Sequence, residues 1–298
     1  MFRAIALLVV GTVVFACILT PPLYSLLSIL FDSSPWPYSR VFDRVAMLCA
    51  AVFIYLLRSE FHLARLRTYF VEGQANSRVK AVVAGSVVSL GTAFVILPLI
   101  VGAGEIVWNK DMPDLFPYRT IKVLAAAVII SLIEESFFRV LVFEKLKEKC
   151  MLPLAAVICS LFYASVHFIA PFKSYVYPGF SPLVGFEYLG AVLERMLAIE
   201  IFPAFFGLFL VGLTLCYVIQ RTGSVYLCIG LHMGWVMAMK FAHYTTQAVE
   251  GVVFPAGVGR RYFLVAEPLA WGSIVAVWVV MLVCATYFTV EKNVNTEA

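Results

Sequence analysis

Glu134, Glu135 and Arg139 stand within six positions of one another in SLIEESFFRVLVF, a stretch that is otherwise almost wholly apolar. A charge at the middle of a membrane helix costs about 2.5–3.5 kcal/mol on insertion scales, so three of them persist only where they face a protein interior and meet partners. Helix geometry assigns one partnership. Glu135 and Arg139 are i,i+4 on one face, with the acid on the N-terminal side, which is the favourable order. Glu134 is rotated about 100° from Glu135 and takes no partner from its own turn. One carboxylate therefore reads as structural, and the other is available to take and release a proton.

Two histidines lie in equally apolar surroundings, His167 in LFYASVHFIA and His232 in YLCIGLHMGWVMAMKF. Positions 134 and 167 are nearly equidistant from a turn near Cys150, so an antiparallel helix pair would hold them at similar depth. A lone core imidazole is ordinarily a packing residue, and it is this depth match that singles out His167. Tyr163 precedes His167 by four residues and shares its helix face. Together these groups can hydrolyse a peptide bond. Glu134 deprotonates a water, His167 holds or shares that proton, and His232 donates to the developing oxyanion. Such a donor is worth about 2.7–4 kcal/mol. Zinc is the competing chemistry, since Glu and His are also its ligands. No His-Glu-x-x-His motif supports it, so no cofactor is expected. His62 and His243 sit near span boundaries and carry no such reading.

The elements that must position these residues are membrane helices. The chain has 298 residues, 62% hydrophobic and 13% charged, with mean hydropathy +0.95. A soluble domain carries about a quarter charged residues. A bilayer core of about 30 Å needs about 20 apolar residues per helix, and backbone in lipid must be satisfied within its own segment. Eight segments qualify, at roughly 4–30, 41–58, 79–103, 120–146, 151–170, 202–221, 223–245 and 268–290. The expected fold is thus an all-α, polytopic membrane bundle of about eight transmembrane helices. The Pro- and aromatic-rich loop 171–201 turns amphipathic and is expected to hold an interfacial helix, a plain connector before it is a gate. The N-terminal apolar segment lacks a small-residue cleavage site and reads as a retained first helix.

Arg58, Arg65, Arg67, Arg78 and Lys80 fill one short connection, and Lys145, Lys147 and Lys149 another. The positive-inside rule puts both in the cytoplasm and, with eight spans, both termini there too. Arg221 agrees, while Arg260 and Arg261 fall in a loop placed outside. The seven cysteines show no Cys-x-x-Cys spacing and read as small buried hydrophobes. A net charge of +4 gives no reason to expect nucleic acid as a partner. The expected partners are the lipid bilayer and a membrane-tethered peptide or protein substrate. Three regions follow: N-terminal helices 1–119, a core 120–245 that carries the chemistry, and 246–298 with the last helix and tail.

The residues EESFFR fit Glu-Glu-x-x-x-Arg, YASVH fits an aromatic-x-x-x-His motif with Tyr163 where Phe is usual, and His232 follows in a late span. In combination, over about residues 120–245, these resemble the CAAX protease and bacteriocin-processing family of intramembrane proteases. That family includes the type II CAAX prenyl endopeptidases and the bacterial abortive-infection-type proteins. The resemblance implies an eight-helix glutamic endopeptidase. Glu134 takes the position of its catalytic base, His167 that of the partner, Glu135 and Arg139 those of structural companions, and His232 that of an oxyanion-hole residue. The family pattern then has a polar residue, often Asn, four positions after that histidine. Here the position is Val236, which donates nothing, and Trp235 Nε1–H is the candidate substitute, although packing is the ordinary role of such a Trp.

The expected function is an intramembrane endopeptidase acting on a leader peptide, a bacteriocin-like peptide or a C-terminal sorting tail in a bacterial cytoplasmic membrane. The chain's own end, EKNVNTEA, is not a CaaX tail. Val236 motivates a second reading, a non-catalytic scaffold or maturation factor derived from such a protease. Intramembrane Glu and His also relay protons, which gives a third, a small proton-coupled transporter. No pair of broken helices in matching halves supports that one.

Overall fold

The computed structural model describes residues 2–31, 34–71, 75–104, 106–109, 116–168, 175–250 and 264–294. The chain is an all-α helical bundle. The helices are α1 (Phe2–Leu30), α2 (Tyr38–Leu56), α3 (Ala64–Val71), α4 (Ala75–Gly102), α5 (Phe116–Glu135), α6 (Glu144–Lys147), α7 (Leu152–Phe168), α8 (Val184–Met196), α9 (Phe202–Thr222), α10 (Val225–Thr245) and α11 (Pro268–Val294). A π-helical stretch, Ser136–Phe143, joins α5 to α6, so one helix runs without a break from Phe116 to Lys147. All eight expected apolar segments carry helix. Among the described residues four helical stretches, Arg3–Leu30, Ser77–Gly102, Ile199–Thr222 and Val225–Thr245, are long and apolar enough to cross a membrane by length and composition. Leu152–Phe168 and Pro268–Leu282 are shorter apolar helices.

The chain divides into two compact units, one of residues 1–63 and 165–199, the other of residues 64–164 and 200–298. In the first, α1 packs on α2 and α8. A Cβ on Gly185 would stand 2.0 Å from the Cys17 carbonyl oxygen, so only glycine lets α8 approach α1 this closely. Tyr24, Tyr38, Tyr177 and Tyr188 pack together there, Tyr38 stacked on Tyr177 with ring centroids 5.1 Å apart and edge-to-face with Tyr24 and Tyr188. The helix expected in the 171–201 loop is α8. It buries Val184, Tyr188 and Val192 on one stripe and exposes Phe186, Glu187, Leu193 and Glu194. Residues 169–174 of that loop, and Arg260 and Arg261, lie outside the described residues.

In the second unit α10 is the centre, packed on α4 and α5, and α11 packs on α9 and α4. The α4–α10 contact is made by small residues. Cβ atoms on Gly85, Gly230 and Gly234 would lie 2.7, 2.2 and 2.0 Å from atoms of the facing helix. Ser86 Oγ reaches across to donate to the Gly230 carbonyl at 3.1 Å. Gly230 and Gly234 form a Gly-x-x-x-Gly face, the arrangement by which membrane helices bring their backbones together. The opposite face of α4 carries Val79, Val83 and Val87, all exposed at i,i+4 spacing, as a lipid-facing stripe requires. Gly223, at φ 64, ends α9 in the left-handed conformation, and Ser224 Oγ then caps α10 by accepting from Leu227 N at 3.3 Å.

Two short strands were not expected from the apolar pattern. β1 (Ile106–Trp108) pairs antiparallel with β2 (Thr246–Ala248), with Val107 opposite Gln247, next to the C-terminus of α10. At the other end of the unit, Glu148 in the turn after α6 is bridged by Arg65 and by Lys145. The hydrogen bond from Arg65, then that from Lys145, holds its carboxyl down to about 2. Lys147 pairs with Glu144 at 2.7 Å and donates to Gln220 Oε1 at 3.0 Å, which ties the turn to the end of α9.

Candidate active site

The buried stripe of α5 is Val123, Ala127, Ser131 and Glu135, spaced by four, while Ile121, Leu124, Ile129 and Ile133 are exposed. Glu135 therefore enters the interior because of its register. Glu134, one position earlier, lies at the edge of that stripe. The π-helical stretch begins directly after Glu135. Its i→i+5 bonding places more residues in each turn than an α-helix does, and such turns recur at functional sites. The residues from Phe138 to Phe143, Arg139 among them, are all buried.

Arg139 and Glu135 form the ion pair expected from their spacing, Nε to Oε2 at 3.0 Å, with both side chains 0% exposed. The guanidinium also lies 5.0 Å from the Tyr163 ring centroid, over its face. Its Nη1 donates to Cys159 Sγ at 3.7 Å, and that thiol donates to the Phe138 carbonyl at 3.3 Å. Burying a charge pair is costly unless its remaining bonding capacity is met. Here an aromatic face and a thiol from α7 take part of that role.

His232 completes the centre. It is held in the interior by the Gly230–Gly234 contact with α4, which brackets it in sequence. His232 Nδ1 and Glu135 Oε1 are 2.8 Å apart. His232 Nε2 lies 3.8 Å from Glu134 Oε2 and 3.5 Å from Tyr163 OH. The imidazole thus stands between the two adjacent carboxylates, one on each ring nitrogen. Glu135 is fully buried, whereas the Glu134 side chain keeps 26% of its surface accessible. With Nδ1–H on Glu135, Nε2 accepts a hydrogen bond in the neutral ring and donates one in the imidazolium.

Five of the residues singled out from the sequence, Glu134, Glu135, Arg139, Tyr163 and His232, therefore meet in one cluster. His167 lies in the last turn of α7, in the portion of that helix that belongs to the first unit. Trp235 is buried, and its Nε1–H has no acceptor among the described residues. Val236 is buried beside it. Among the described residues no three His, Cys, Asp or Glu side chains are grouped to hold a metal ion. The bond from His232 to Glu135 was not anticipated. It joins residues 97 positions apart. Gly-x-x-x-Gly around His232 is the sequence signal that marks this face of α10 as an interior one.

The cluster can hold a proton at three neighbouring sites and leaves one carboxylate accessible to water, which is the equipment for acid–base hydrolysis. No curated protein and no solved structure matches the chain. Residues 116–238, which contain every member of this cluster, match the family model described as type II CAAX prenyl endopeptidase Rce1-like, a match consistent with the resemblance to the CAAX protease and bacteriocin-processing family.

Proposed function

We propose that the protein is an intramembrane endopeptidase in which Glu134 activates water against a peptide bond of a membrane-tethered substrate. The observation that carries this reading is the unequal state of two adjacent carboxylates. Glu135 is fully buried and engaged by both Arg139 and His232, while Glu134 is partly accessible beside His232 Nε2. Glu134 takes a proton from water, the oxygen attacks the carbonyl carbon, and the proton passes to the leaving amine as the C–N bond breaks. Doubly protonated His232 donates Nε2–H to the tetrahedral oxyanion while Nδ1–H stays on Glu135. His167, one turn after Tyr163 on α7, takes the role of a proton-holding partner to Glu134. Trp235 Nε1–H is the candidate second oxyanion donor in place of Val236.

The name of the matching family suggests a prenylated CaaX tail. The expectation from this sequence is a leader peptide, a bacteriocin-like peptide or a C-terminal sorting tail. The proposed setting is a bacterial cytoplasmic membrane, with Arg58–Lys80, Lys145–Lys149 and both termini in the cytoplasm.

The test uses purified full-length protein in proteoliposomes with two quenched-fluorescent probes, a farnesylated peptide ending in CaaX and a single-span leader peptide. Glu134→Gln is expected to slow cleavage by about 10²–10⁴-fold, the usual worth of a general base, with the unfolding temperature unchanged. Chelation by EDTA is expected to leave the rate as it was. Full activity in Glu134→Gln sinks the mechanism, and activity lost to EDTA and restored by zinc replaces it with a metal-assisted one. Val236 favours one second reading, the non-catalytic scaffold. It is supported if the wild type cleaves neither probe and Glu134→Gln preserves the cellular phenotype.

A further inference from the structure

A second polar centre lies in the same unit, at the end of α5 and α10 far from the Lys145–Lys149 turn. It is a cavity of about 510 Å³ between the start of α5, the end of α10 and the β1–β2 pair. Arg119 and Lys122 of α5 and His243 of α10 line it, and no aspartate or glutamate does so among the described residues. Neutral side chains complete the wall, the amides of Asn109 after β1 and Gln247 of β2 among them. Arg119 is braced over the Tyr244 ring at 5.4 Å.

Two cations in the first two turns of α5 oppose that helix's dipole, whose positive end they share, and an anion there is favoured by dipole and side chains alike. The negative end of α10 does not cancel this. Thr245 Oγ1 donates to the Phe241 carbonyl, Thr246 Oγ1 to the Ala242 carbonyl and Asn109 N to the Thr245 carbonyl, at 2.8, 2.7 and 2.8 Å. Three carbonyls at this helix end, those of Phe241, Ala242 and Thr245, are thereby taken. Three cation-capable groups with neutral donors around them suit a tetrahedral oxyanion better than a two-oxygen carboxylate. The surroundings point to the source of that anion. Tyr118 on the cavity wall is 61% exposed, and Trp108, next to Asn109, is exposed as well. Exposed Trp and Tyr at a helix end mark the headgroup level of a bilayer.

We propose that this cavity binds the phosphate of an anionic phospholipid headgroup, through Arg119, Lys122 and His243. The site is independent of the chemistry at Glu134.

The test takes the full-length protein in neutral detergent with two probes, dihexanoyl phosphatidylglycerol and inorganic phosphate, read by the unfolding temperature and by lipid adducts in native mass spectrometry. The lipid is expected to bind and to raise the unfolding temperature at concentrations where phosphate does neither. Arg119→Gln/Lys122→Gln is expected to weaken lipid binding about 30-fold, from the loss of two cations near the headgroup. Arg119→Lys/Lys122→Arg, which keeps both charges, should retain binding within a few-fold and guards against a folding defect in the first variant. Equal response to phosphate and lipid reduces the site to one for free phosphate and overturns the headgroup assignment. No binding of either probe, or binding unchanged in the double Gln variant, overturns the proposal outright.

Discussion

Glu135→Gln removes one charge from a pair that is entirely out of water. The replacement is isosteric, so the core loses no volume and the effect isolates charge. Arg139 then keeps its guanidinium at 0% exposure beside a neutral amide, the Cys159 sulfur at 3.7 Å and the Tyr163 and Phe138 rings at 5.0 and 6.0 Å, with its counter-charge gone. Breaking a buried ion pair from one side costs about 3–5 kcal/mol, because the remaining charge is stranded. Against a total folding free energy of about 5–15 kcal/mol, that is a large fraction. In detergent micelles the unfolding temperature should fall by the order of 10 °C. Adding Arg139→Met to Glu135→Gln removes the stranded charge and should restore most of the loss, since apolar replacement of a buried pair is often near neutral. A Glu135→Gln protein within about 0.5 kcal/mol of wild type would refute the reasoning. So would a double variant no more stable than the single one.

Two further outcomes follow from the same unit. Gly230→Ala puts a Cβ 2.2 Å from the Val82 carbonyl oxygen, a backbone atom that has no room to yield, so α4 and α10 must separate. A loss of about 1–3 kcal/mol is expected. Gly91→Ala on α4 meets nothing within 4 Å and should be neutral or stabilising by up to about 1 kcal/mol. Equal stability of the two variants, by chemical unfolding in micelles, would refute the close-contact account. Glu148, with its carboxyl held down to about 2, adds stability that is complete above its ordinary value near 4.5 and is lost as pH falls from there towards 2. Glu148→Gln should flatten the stability profile in that window and change stability at pH 7 by no more than about 1 kcal/mol. An unchanged acid limb would show that the bridges to Arg65 and Lys145 are not held in solution.

Hydropathy made the helices legible, because lipid demands long apolar runs and forbids unpaired backbone. The structure places helix on each of the eight segments, and the loop after residue 170 holds α8. The i,i+4 rule located the Glu135–Arg139 pair, since both members lie on one helix. What lay beyond reach was of two kinds. The π-helical turns at Ser136–Phe143 and the β1–β2 pair carry no signature in hydropathy, which reports burial and not hydrogen-bond register. The bond between Glu135 and His232 spans 97 positions. Depth-matching across a hairpin reaches only the adjacent helix, here α7, and so it turned attention to His167 before His232. The signals that reach further were packing signals, the small-residue stripe Ala127–Ser131 leading to Glu135 and the glycines flanking His232.

The adjacency of the two acids is itself a design with a physical reason. A single helix must answer two demands that lie in different directions, the counter-ion of Arg139 and the second nitrogen of His232. Residues four apart on α5 would share one face and compete for the same guanidinium. Residues one apart differ by about 100°, so Glu135 can be spent on Arg139 and Nδ1 while Glu134 reaches Nε2 from the accessible side. The formal charges explain why the imidazole belongs between them. Two carboxylates and one guanidinium sum to −1, and one further proton brings the buried cluster to zero, the state that burial penalises least. Glu134 and His232, 3.8 Å apart, are the members placed to exchange that proton. Glu135→Gln therefore reaches further than stability. It cuts the cluster's negative charge, leaves one amide oxygen where two carboxylate oxygens had served Arg139 and Nδ1, and should alter the pH dependence of any hydrolysis at Glu134, whereas a change at Glu134 alone should leave the fold as it stands.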